Sequence, residues 1–378
     1  MRNPFEYGGI VLNEAFCNRT REREEIRRVI ENAGKLFVYA ERRIGKTSLV
    51  QQVLRELPED DYVKIYIDLW PTDGPASFVA TVAKGITEAL ASRADRLLET
   101  AKRLFSRLIP SVTVDEEGKP VIAFGIRDVT VASPVLEEVL QAPARLAEEG
   151  RRKVVVVLDE FQQILEYGTD EVERRLRSII QHHQEVAYLF LGSRKHLIQQ
   201  MFLDRNRPLY RSAAHYPLEA IGEEEWRPFI QERFRWGRRT ISDEAVHEVC
   251  DLTQGHPFYT QHLCHVLWER CEEGGVVDAP LIAGSVEVLL RRESYAYTAL
   301  WESLTINQRR FLKGLAAEAA GVQPFASAFI QRYRLKSPSN AQRAAKALLS
   351  RDLIDRDNGS YLVQDRFFRL WIQQMQAS

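Results

Sequence analysis

The stretch LFVYAERRIGKTSLVQQVL, residues Leu36–Leu54, decides the fold of this chain. It opens with an apolar run of strand length and closes with the apolar spacing of a helix. Between them, residues 40–47 read AERRIGKT, which matches the phosphate-binding pattern G-x-x-x-x-G-K-[ST] except at its first position. The stretch therefore predicts a strand, a phosphate-binding loop and a helix, in that order.

The loop residues carry a predicted nucleotide site. Lys46 is expected to reach the β- and γ-phosphates, and the Thr47 hydroxyl to coordinate Mg²⁺. Backbone N–H groups at the start of the helix would surround the β-phosphate. The alternative is a chance Gly-Lys-Thr tripeptide at a helix start. The predicted nucleotide-binding residues are Arg43, Ile44, Gly45, Lys46, Thr47 and Ser48.

Ala40 stands where the first glycine of the pattern is expected. A methyl group is tolerated there if φ is negative, whereas a positive φ costs about 1–2 kcal/mol. Gly45, which allows close backbone approach, is present, so we expect a working loop. For Arg42 and Arg43 the sequence leaves three alternatives open: contact with phosphate, contact with a neighbouring subunit, or exposure to solvent.

A second segment, KVVVVLDEF at residues 153–161, strengthens the nucleotide hypothesis. Its valines and leucine predict a buried strand that ends in Asp159 and Glu160, at the edge where open α/β sheets bind ligands. We expect Asp159 to hold Mg²⁺ through a water molecule and Glu160 to polarise the attacking water. A solvated strand end is the alternative, which the neighbouring loop disfavours.

A third strand, in AYLFLGSRKH at residues 187–196, ends beside the second. Polar groups at its tip are placed to sense a γ-phosphate, so Ser193 and Arg194 are predicted sensors. A surface ion pair is the alternative for Arg194, because arginine is usually exposed.

The chain as a whole predicts three domains. Apolar runs alternate with helical segments, which predicts an α/β fold: a P-loop NTPase parallel sheet with helices on both faces, at residues 1–221. Residues 222–295 have helical spacing and no convincing strand, and predict a helical lid. Residues 296–378 predict a winged helix-turn-helix. The predicted strands are Leu36–Tyr39, Val63–Leu69, Val154–Leu158, Ala187–Leu191 and Tyr216–Ile221, with an inserted hairpin at Val112–Ile126.

The last domain has its own sequence signals. Ser337 and Pro338 suit the start of an alanine-rich helix, and Asp-Asn-Gly-Ser at residues 357–360 predicts a hairpin turn. Residues 301–378 carry twelve Lys or Arg and six Asp or Glu, a net charge of +6 that leaves −7 for the rest. Basic charge is therefore concentrated at this end of the chain.

Composition narrows the class of protein. The cysteines form no C-x-x-C pair, which disfavours a zinc site. Residues 1–30 show no apolar leader and no apolar run is long enough to span a bilayer, so we expect a cytoplasmic protein without membrane contact.

These segments together resemble prokaryotic ATPases of the STAND and archaeal-type branch of the AAA+ superfamily that carry a C-terminal winged helix. The resemblance covers nearly the whole chain and adds four segments: NPFEYGGIVLNEAFCNRTREREEI from residue 3, RPLYRSA from 207, LTQGHPFYTQHLCHVLW from 252 and DRFFRLWI from 365. Two residues depart from the family pattern: Ala40 replaces a glycine, and Arg366 replaces a proline.

The resemblance implies a nucleotide-gated switch that rests with ADP and opens or assembles with ATP. It implies that Arg19 lies at the adenine pocket and that Pro257 of the lid packs near the nucleotide. It also implies Arg211 as an arginine finger, in cis or in trans, with a surface arginine as the alternative. The predicted cofactors are therefore ATP or ADP with Mg²⁺, and the predicted partners include a second copy of the chain or a separate effector protein.

Two hypotheses compete for the winged helix. In the first it binds double-stranded DNA, with arginine and lysine on phosphates and amide side chains on adenine edges. In the second it is a protein-contact module that locks the ADP state. The overall function is correspondingly open between a hydrolysing switch, a non-hydrolysing nucleotide-binding protein and an ATP-dependent assembler on DNA. The candidate DNA residues are Asn340, Gln342, Arg343, Lys346 and Arg356.

Overall fold

A computed structural model describes most of the chain. The described residues form two compact units. The sheet unit comprises Arg19–Arg42 and Lys46–Leu218, and the helical unit comprises Met1–Asn18, Arg43–Gly45 and Glu219–Ser378. The predicted division at residues 221 and 295 stays a prediction. The described residues are 2–91, 96–114, 118–126, 132–150, 152–193, 197, 201–318, 322–357 and 360–377.

The sheet unit is built on five parallel strands, as predicted. Their order across the sheet is β2-β5-β6-β1-β7, and every neighbouring pair is parallel. The strand β5 is buried along nearly its whole length, because helices cover both faces of the sheet. The strands are β1 (Lys35–Tyr39), β2 (Tyr62–Asp68), β5 (Lys153–Asp159), β6 (Val186–Gly192) and β7 (Ala214–Pro217).

Helices flank this sheet in two groups. The first two helices pack on each other, and the third, fifth and sixth pack together over the other face. Alternate side chains of the first strand point to opposite faces of the sheet. Phe37 belongs to the hydrophobic cluster beneath the third, fifth and sixth helices, whereas Leu36 and Val38 are buried but lie outside that cluster. The helices are α1 (Thr20–Glu31), α2 (Lys46–Glu56), α3 (Pro75–Leu90), α4 (Leu97–Leu104), α5 (Ala132–Glu149) and α6 (Glu171–Ile180), with a 3₁₀ helix at Phe161–Tyr167.

Two strand predictions are refined by the structure. The inserted hairpin is present, but its first strand begins at Leu108: β3 (Leu108–Val114) pairs antiparallel with β4 (Pro120–Ile126). The prediction for the last strand of the sheet was wrong in its bounds, because β7 ends at Pro217. Ile221 instead donates its N–H to the Gly255 carbonyl within the helical unit.

The helical unit begins with four helices, and residues 2–18 pack on them. Asn3 Nδ2 donates to the His265 carbonyl at 3.0 Å, and the Phe5 and Phe234 rings lie 5.2 Å apart. A two-residue parallel pair, β8 (Thr240–Ile241) with β9 (Val276–Val277), was not predicted, since such short strands leave no periodic signal. The helices are α7 (Glu223–Trp236), α8 (Asp243–Thr253), α9 (Pro257–Arg270) and α10 (Ala279–Glu302).

The rest of the helical unit is the predicted winged helix. Ser337 Oγ accepts a hydrogen bond from Asn340 N at 3.3 Å, and Pro338 is the first residue of the next helix, as predicted. The final helix was not predicted from its amphipathic pattern. Asp365 fixes its start by accepting a hydrogen bond from Phe368 N at 2.9 Å. The elements are α11 (Ile306–Ala317), α12 (Ser327–Arg332), α13 (Pro338–Ser350), β10 (Ile354–Asp357), β11 (Ser360–Val363) and α14 (Arg366–Ala377).

Two predicted features of this region need qualification. The boundary predicted after residue 295 falls inside α10, which continues to Glu302. Residues 358 and 359 of the predicted wing turn lie outside the described residues, although Asp357 and Ser360 on either side of them are paired. Among the helices that the structure describes, none combines the length and the apolar character that crossing a bilayer requires.

Candidate active site

Sheet topology brings three predicted site segments to one edge. The strand β6 lies between β1 and β5, so the carboxyl ends of these three parallel strands are adjacent. The loop before Lys46 follows β1, Asp159 ends β5, and Ser193 follows β6. Residues more than a hundred positions apart in sequence therefore meet at the edge where open α/β sheets bind ligands.

The loop accommodates Ala40 without strain. Ala40 is fully buried, its φ is not positive, and its N–H points to the Gly192 carbonyl at 3.3 Å. The left-handed positions are instead Arg43, with φ 60°, and Gly45, with φ 91°. Because the bend falls at Gly45, the alanine at the strand exit carries no backbone cost. The helix α2 then starts at Lys46 and directs its first N–H groups toward the loop.

Lys46 is almost completely buried, with 5% of its surface exposed. Its Nζ donates to the Glu41 carbonyl at 3.1 Å. Burial lowers the pKa of Lys46, and the carboxylates of Glu160 and Asp159 act in the opposite direction. A buried ammonium group held near two carboxylates by one carbonyl bond is well suited to bind a phosphate oxygen.

Asp159 is fixed by three hydrogen-bond donors. Its Oδ2 accepts from Thr47 Oγ1 at 2.6 Å and from the Tyr66 hydroxyl at 2.5 Å. Its Oδ1 accepts from the Glu160 backbone N–H at 2.8 Å. The carboxylate is only 3% exposed, so these donors determine its orientation.

Glu160 is held by two polar neighbours. Its Oε2 accepts from Ser193 Oγ at 2.8 Å and from Gln162 Nε2. Gln162 and Ser193 are bonded to each other as well, since Ser193 N donates to Gln162 Oε1 at 3.3 Å. The backbone of Glu160 is left-handed, with φ 51°, which is a costly conformation for a residue with a side chain.

The oxygen ligands at this edge fit Mg²⁺. Thr47 Oγ1 and the Asp159 carboxylate are adjacent hard donors, and Asp68, the register partner of Asp159, adds a carboxylate nearby. Within the described part of the chain, no group of three His, Cys, Asp or Glu side chains forms a closed metal cage. Mg²⁺ takes one or two protein ligands and completes its shell with phosphate and water, so the Thr47 hydroxyl and the Asp159 carboxylate are sufficient protein donors.

The remaining predicted residues of the sheet unit have varied surroundings. Arg19 is buried and donates to Glu22 at 2.9 Å, and Ser48 is buried in α2. Arg211 is exposed, and its guanidinium lies 5.3 Å from the Tyr210 ring centroid. Arg194 lies outside the described residues, and its sensor role stays a prediction.

The remaining loop residues cluster with the helical unit. Ile44 is buried, and the Arg43 guanidinium lies 4.5 Å from the centroid of the Phe258 ring. This aromatic contact of Arg43 was not among the three alternatives that the sequence left open. Those alternatives stay predictions.

The Gly-His-Pro segment forms the start of α9. Gly255 has φ 63°, and its carbonyl accepts from Ile221 N at 3.1 Å and from Trp226 Nε1 at 3.0 Å. Pro257 follows as the first helical residue. These bonds fasten the segment Ile221–Gly222 to the helical unit, while the predicted contact of Pro257 with nucleotide stays a prediction.

The candidate DNA residues lie mainly on one exposed helix face. Gln342, Arg343 and Lys346 are exposed on α13, opposite its buried alanine and leucine face. Asn340 is partly buried and accepts from Arg343 Nη2 at 2.5 Å. Arg356 is exposed on the wing, with its guanidinium 5.7 Å from the Tyr361 ring centroid.

Sequence reasoning missed two residues of the site, Tyr66 and Gln162. Tyr66 lies two residues before the carboxyl end of β2, and Gln162 lies two residues after Glu160. Both positions are adjacent to predicted sheet-edge segments, which is a usable but weak signal. Their contacts depend on strand order, which the local pattern does not reveal.

Two families match the chain. Residues 16–263 match the family described as an ATPase domain predominantly from Archaea, and residues 295–374 match a probable winged helix domain. The first match covers more than half of the chain, and the second coincides with the wing and its helices.

One curated relative matches part of the chain at low sequence identity. An uncharacterized ATP-binding protein of Pyrococcus abyssi is 28% identical over 166 residues, which cover 41% of this chain and 45% of that protein. The chain therefore matches less than half the length of this relative.

Solved structures share the fold over nearly the full length. The Walker-type ATPase of Pyrococcus abyssi has a TM-score of 0.66 at 16% identity, covering 98% of this chain and 99% of its own. The ORC2 protein of Aeropyrum pernix, in ADPNP and ADP complexes, has a TM-score of 0.55 at 16% identity, covering 100% and 99%. The ORC1 protein of Aeropyrum pernix in complex with DNA has a TM-score of 0.50 at 14% identity, covering 97% and 94%.

Proposed function

Because this chain belongs to the family of ATPase domains found predominantly in Archaea, we propose that it is a Mg²⁺-dependent ATPase that works as a slow molecular switch. The observation that carries this proposal is the 2.6 Å hydrogen bond from Thr47 to Asp159, beside buried Lys46. An ammonium and a hydroxyl group at the start of one helix, with a carboxylate at the end of a neighbouring strand, are the groups that a Mg²⁺–triphosphate needs.

Each group has a distinct role in binding. Lys46 exchanges the Glu41 carbonyl for β- and γ-phosphate oxygens, and Thr47 and Asp159 hold the metal ion. The backbone N–H groups from Arg43 to Thr47 receive the β-phosphate. Mg²⁺ bound there would neutralise negative charge on the triphosphate.

Glu160 is the general base in this proposal. Its carboxylate accepts a proton from the attacking water, the water oxygen bonds to the γ-phosphorus, and the bond to the ADP oxygen breaks. In the observed arrangement that carboxylate is occupied by Ser193 and Gln162. A γ-phosphate that engages Ser193 would remove one of these two hydrogen bonds from Glu160, so ATP and ADP make different contacts with the same residues. Differential contacts of this kind are what a nucleotide switch requires.

The competing proposal is a nucleotide-binding protein without turnover. Glu160→Gln decides between them, because the amide cannot accept the proton but keeps the shape of the side chain. We expect ATP binding measured by calorimetry to persist and phosphate release to fall by about 100-fold or more. Glu166→Gln, at an exposed glutamate of the same segment, is the matched control and should leave both unchanged. Equal phosphate release from both variants and the parent would rule out the hydrolytic role.

A second proposed function is contact with double-stranded DNA through α13. Its support is the exposed Gln342, Arg343 and Lys346 and the net charge of +6 on residues 301–378. The competing role is an autoinhibitory protein contact, supported by the charge of −7 on the remainder of the chain.

Salt-dependent retardation of a DNA duplex tests this second function. The double substitution Arg343→Ala with Lys346→Ala should weaken retardation. It should also reduce the slope of log affinity against log salt concentration by about 2, because two phosphate contacts are lost. Arg291→Ala with Arg292→Ala removes the same charge from α10, outside the winged helix, and should leave retardation intact. Equal loss in both double variants would show non-specific attraction and contradict the assignment to α13.

Assembly with a second copy or with an effector protein completes the proposal. Light scattering of the purified chain with ADP and with a non-hydrolysable ATP analogue measures whether nucleotide changes its mass. An equal mass with ADP and with the ATP analogue would contradict nucleotide-dependent assembly.

A further inference from the structure

The Tyr66 hydroxyl makes a direct contact with the carboxylate that the proposed function assigns to Mg²⁺. We propose that Tyr66 is a positioning residue that locks Asp159 onto Thr47 and thereby sets the affinity of the site for Mg²⁺–nucleotide. This inference rests on the proposed function and deepens it. It concerns how a hydrogen bond from a neighbouring strand orients a proposed metal ligand.

The geometry concentrates two donors on one oxygen. Tyr66 reaches Asp159 Oδ2 from β2 at 2.5 Å, while Thr47 reaches the same oxygen from α2 at 2.6 Å. The Glu160 N–H occupies the other oxygen at 2.8 Å. Rotation of the carboxylate about its Cβ–Cγ bond would break all three bonds, so the carboxylate has one strongly favoured orientation.

The direction of the Tyr66 hydrogen bond is defined by its partner. An ionised carboxylate only accepts, so the phenol must donate to Asp159. Thr47 likewise donates to Asp159, which leaves the lone pairs of its oxygen free for a metal ion.

Several carboxylates lie at the edge of the sheet where Tyr66 donates its hydrogen bond to Asp159. Asp68 is the register partner of Asp159 in the parallel pair of β2 and β5. Glu160 directly follows Asp159, so three carboxylates lie at this edge of the sheet. Without the Tyr66 donor, Thr47 alone would hold Oδ2, and repulsion among these carboxylates would disfavour the observed orientation of Asp159.

Two effects of the Tyr66 bond oppose each other. The donor withdraws charge from Oδ2 and so weakens its attraction for a cation, whereas fixing the carboxylate removes the cost of orienting it. We expect the orienting effect to dominate, because Mg²⁺ demands near-ideal octahedral geometry. Losses of about 10-fold or more in metal affinity are typical when a residue that orients a metal ligand is removed.

Tyr66→Phe tests the proposal, because phenylalanine keeps the ring and removes only the donor. Binding of a fluorescent ADP analogue is titrated with Mg²⁺ and is also measured in EDTA. We expect the Mg²⁺ concentration at half-effect to rise about 10-fold and the affinity in EDTA to stay unchanged. Electron paramagnetic resonance of Mn²⁺, used in place of Mg²⁺, gives a second readout that does not depend on turnover.

Tyr167→Phe is the matched control. Its hydroxyl is also partly buried and lies 2.5 Å from Thr72 Oγ1, and burial raises its pKa to about 12. It has no hydrogen bond with Asp159, so its loss should leave the Mg²⁺ titration unchanged.

The outcomes separate the two proposals. Equal Mg²⁺ dependence in Tyr66→Phe and the parent, or equal weakening in both tyrosine variants, would overturn the positioning role. A parent protein that binds no nucleotide in Mg²⁺ would overturn the proposed function itself.

Discussion

Replacing Gly255 by alanine tests the tertiary bond network at the start of α9. Gly255 has φ 63°, a conformation that costs a residue with Cβ about 1–2 kcal/mol. An added methyl carbon would also lie well inside contact distance of the Ile221 carbonyl oxygen. Relieving that clash moves Gly255 away from Ile221 N and Trp226 Nε1, and each lost hydrogen bond costs about 1 kcal/mol. We therefore expect Gly255→Ala to destabilise the helical unit by about 3–4 kcal/mol.

Urea unfolding followed by tryptophan fluorescence measures this loss. Five of the six tryptophans belong to the helical unit, so the signal reports mainly on it. Gly274→Ala is the control: Gly274 has φ 83°, and beyond its two chain neighbours no atom lies within 4 Å of the added carbon. That variant should lose only the backbone cost of about 1–2 kcal/mol. Equal losses in the two variants would refute the assignment of a close backbone approach at Gly255.

Three further predictions concern the sheet unit. Ala40→Gly should change the Kd for ATP, measured by calorimetry, by less than about twofold, because the φ of Ala40 is not positive; a 10-fold gain would show strain in the loop. Gln162→Leu should raise basal phosphate release about threefold or more by freeing Glu160, and a decrease would contradict its restraining role. Burial lowers the pKa of His183 to about 4, so the unfolded chain takes up the proton first and stability falls as pH drops from about 6.5 toward 4. His183→Gln should flatten that decline in the urea midpoint followed by circular dichroism, and an unchanged slope would assign it to other groups.

Local sequence determined the elements that surround the nucleotide site. Apolar runs fix β1, β5 and β6, because strands covered on both faces must be apolar along their length. The Gly-Lys-Thr tripeptide follows β1 after residues 40–44, and the Asp-Glu pair lies at the end of β5. Each signal is confined to a few neighbouring residues, which is why the α/β fold and the winged helix were predictable.

Short and irregular elements were less predictable. The end of β7 at Pro217 and the two-residue strands of the helical unit depend on backbone partners from distant segments. Such pairings leave no periodic pattern in the sequence. The predicted Tyr216–Ile221 strand was accordingly wrong in its bounds, although a strand was correctly expected there.

Only the tertiary structure decided which side chains orient the acidic pair. In the sheet, β5 lies between β2 and β6. Tyr66 of β2 therefore reaches Asp159, and Ser193, which follows β6, reaches Glu160. The sequence by itself determined which residues have the chemistry to bind a nucleotide, since that depends on residue type and local spacing. Their hydrogen-bond partners were decided by packing between segments far apart in the chain, because a side chain's neighbours are set by how sheets and helices assemble.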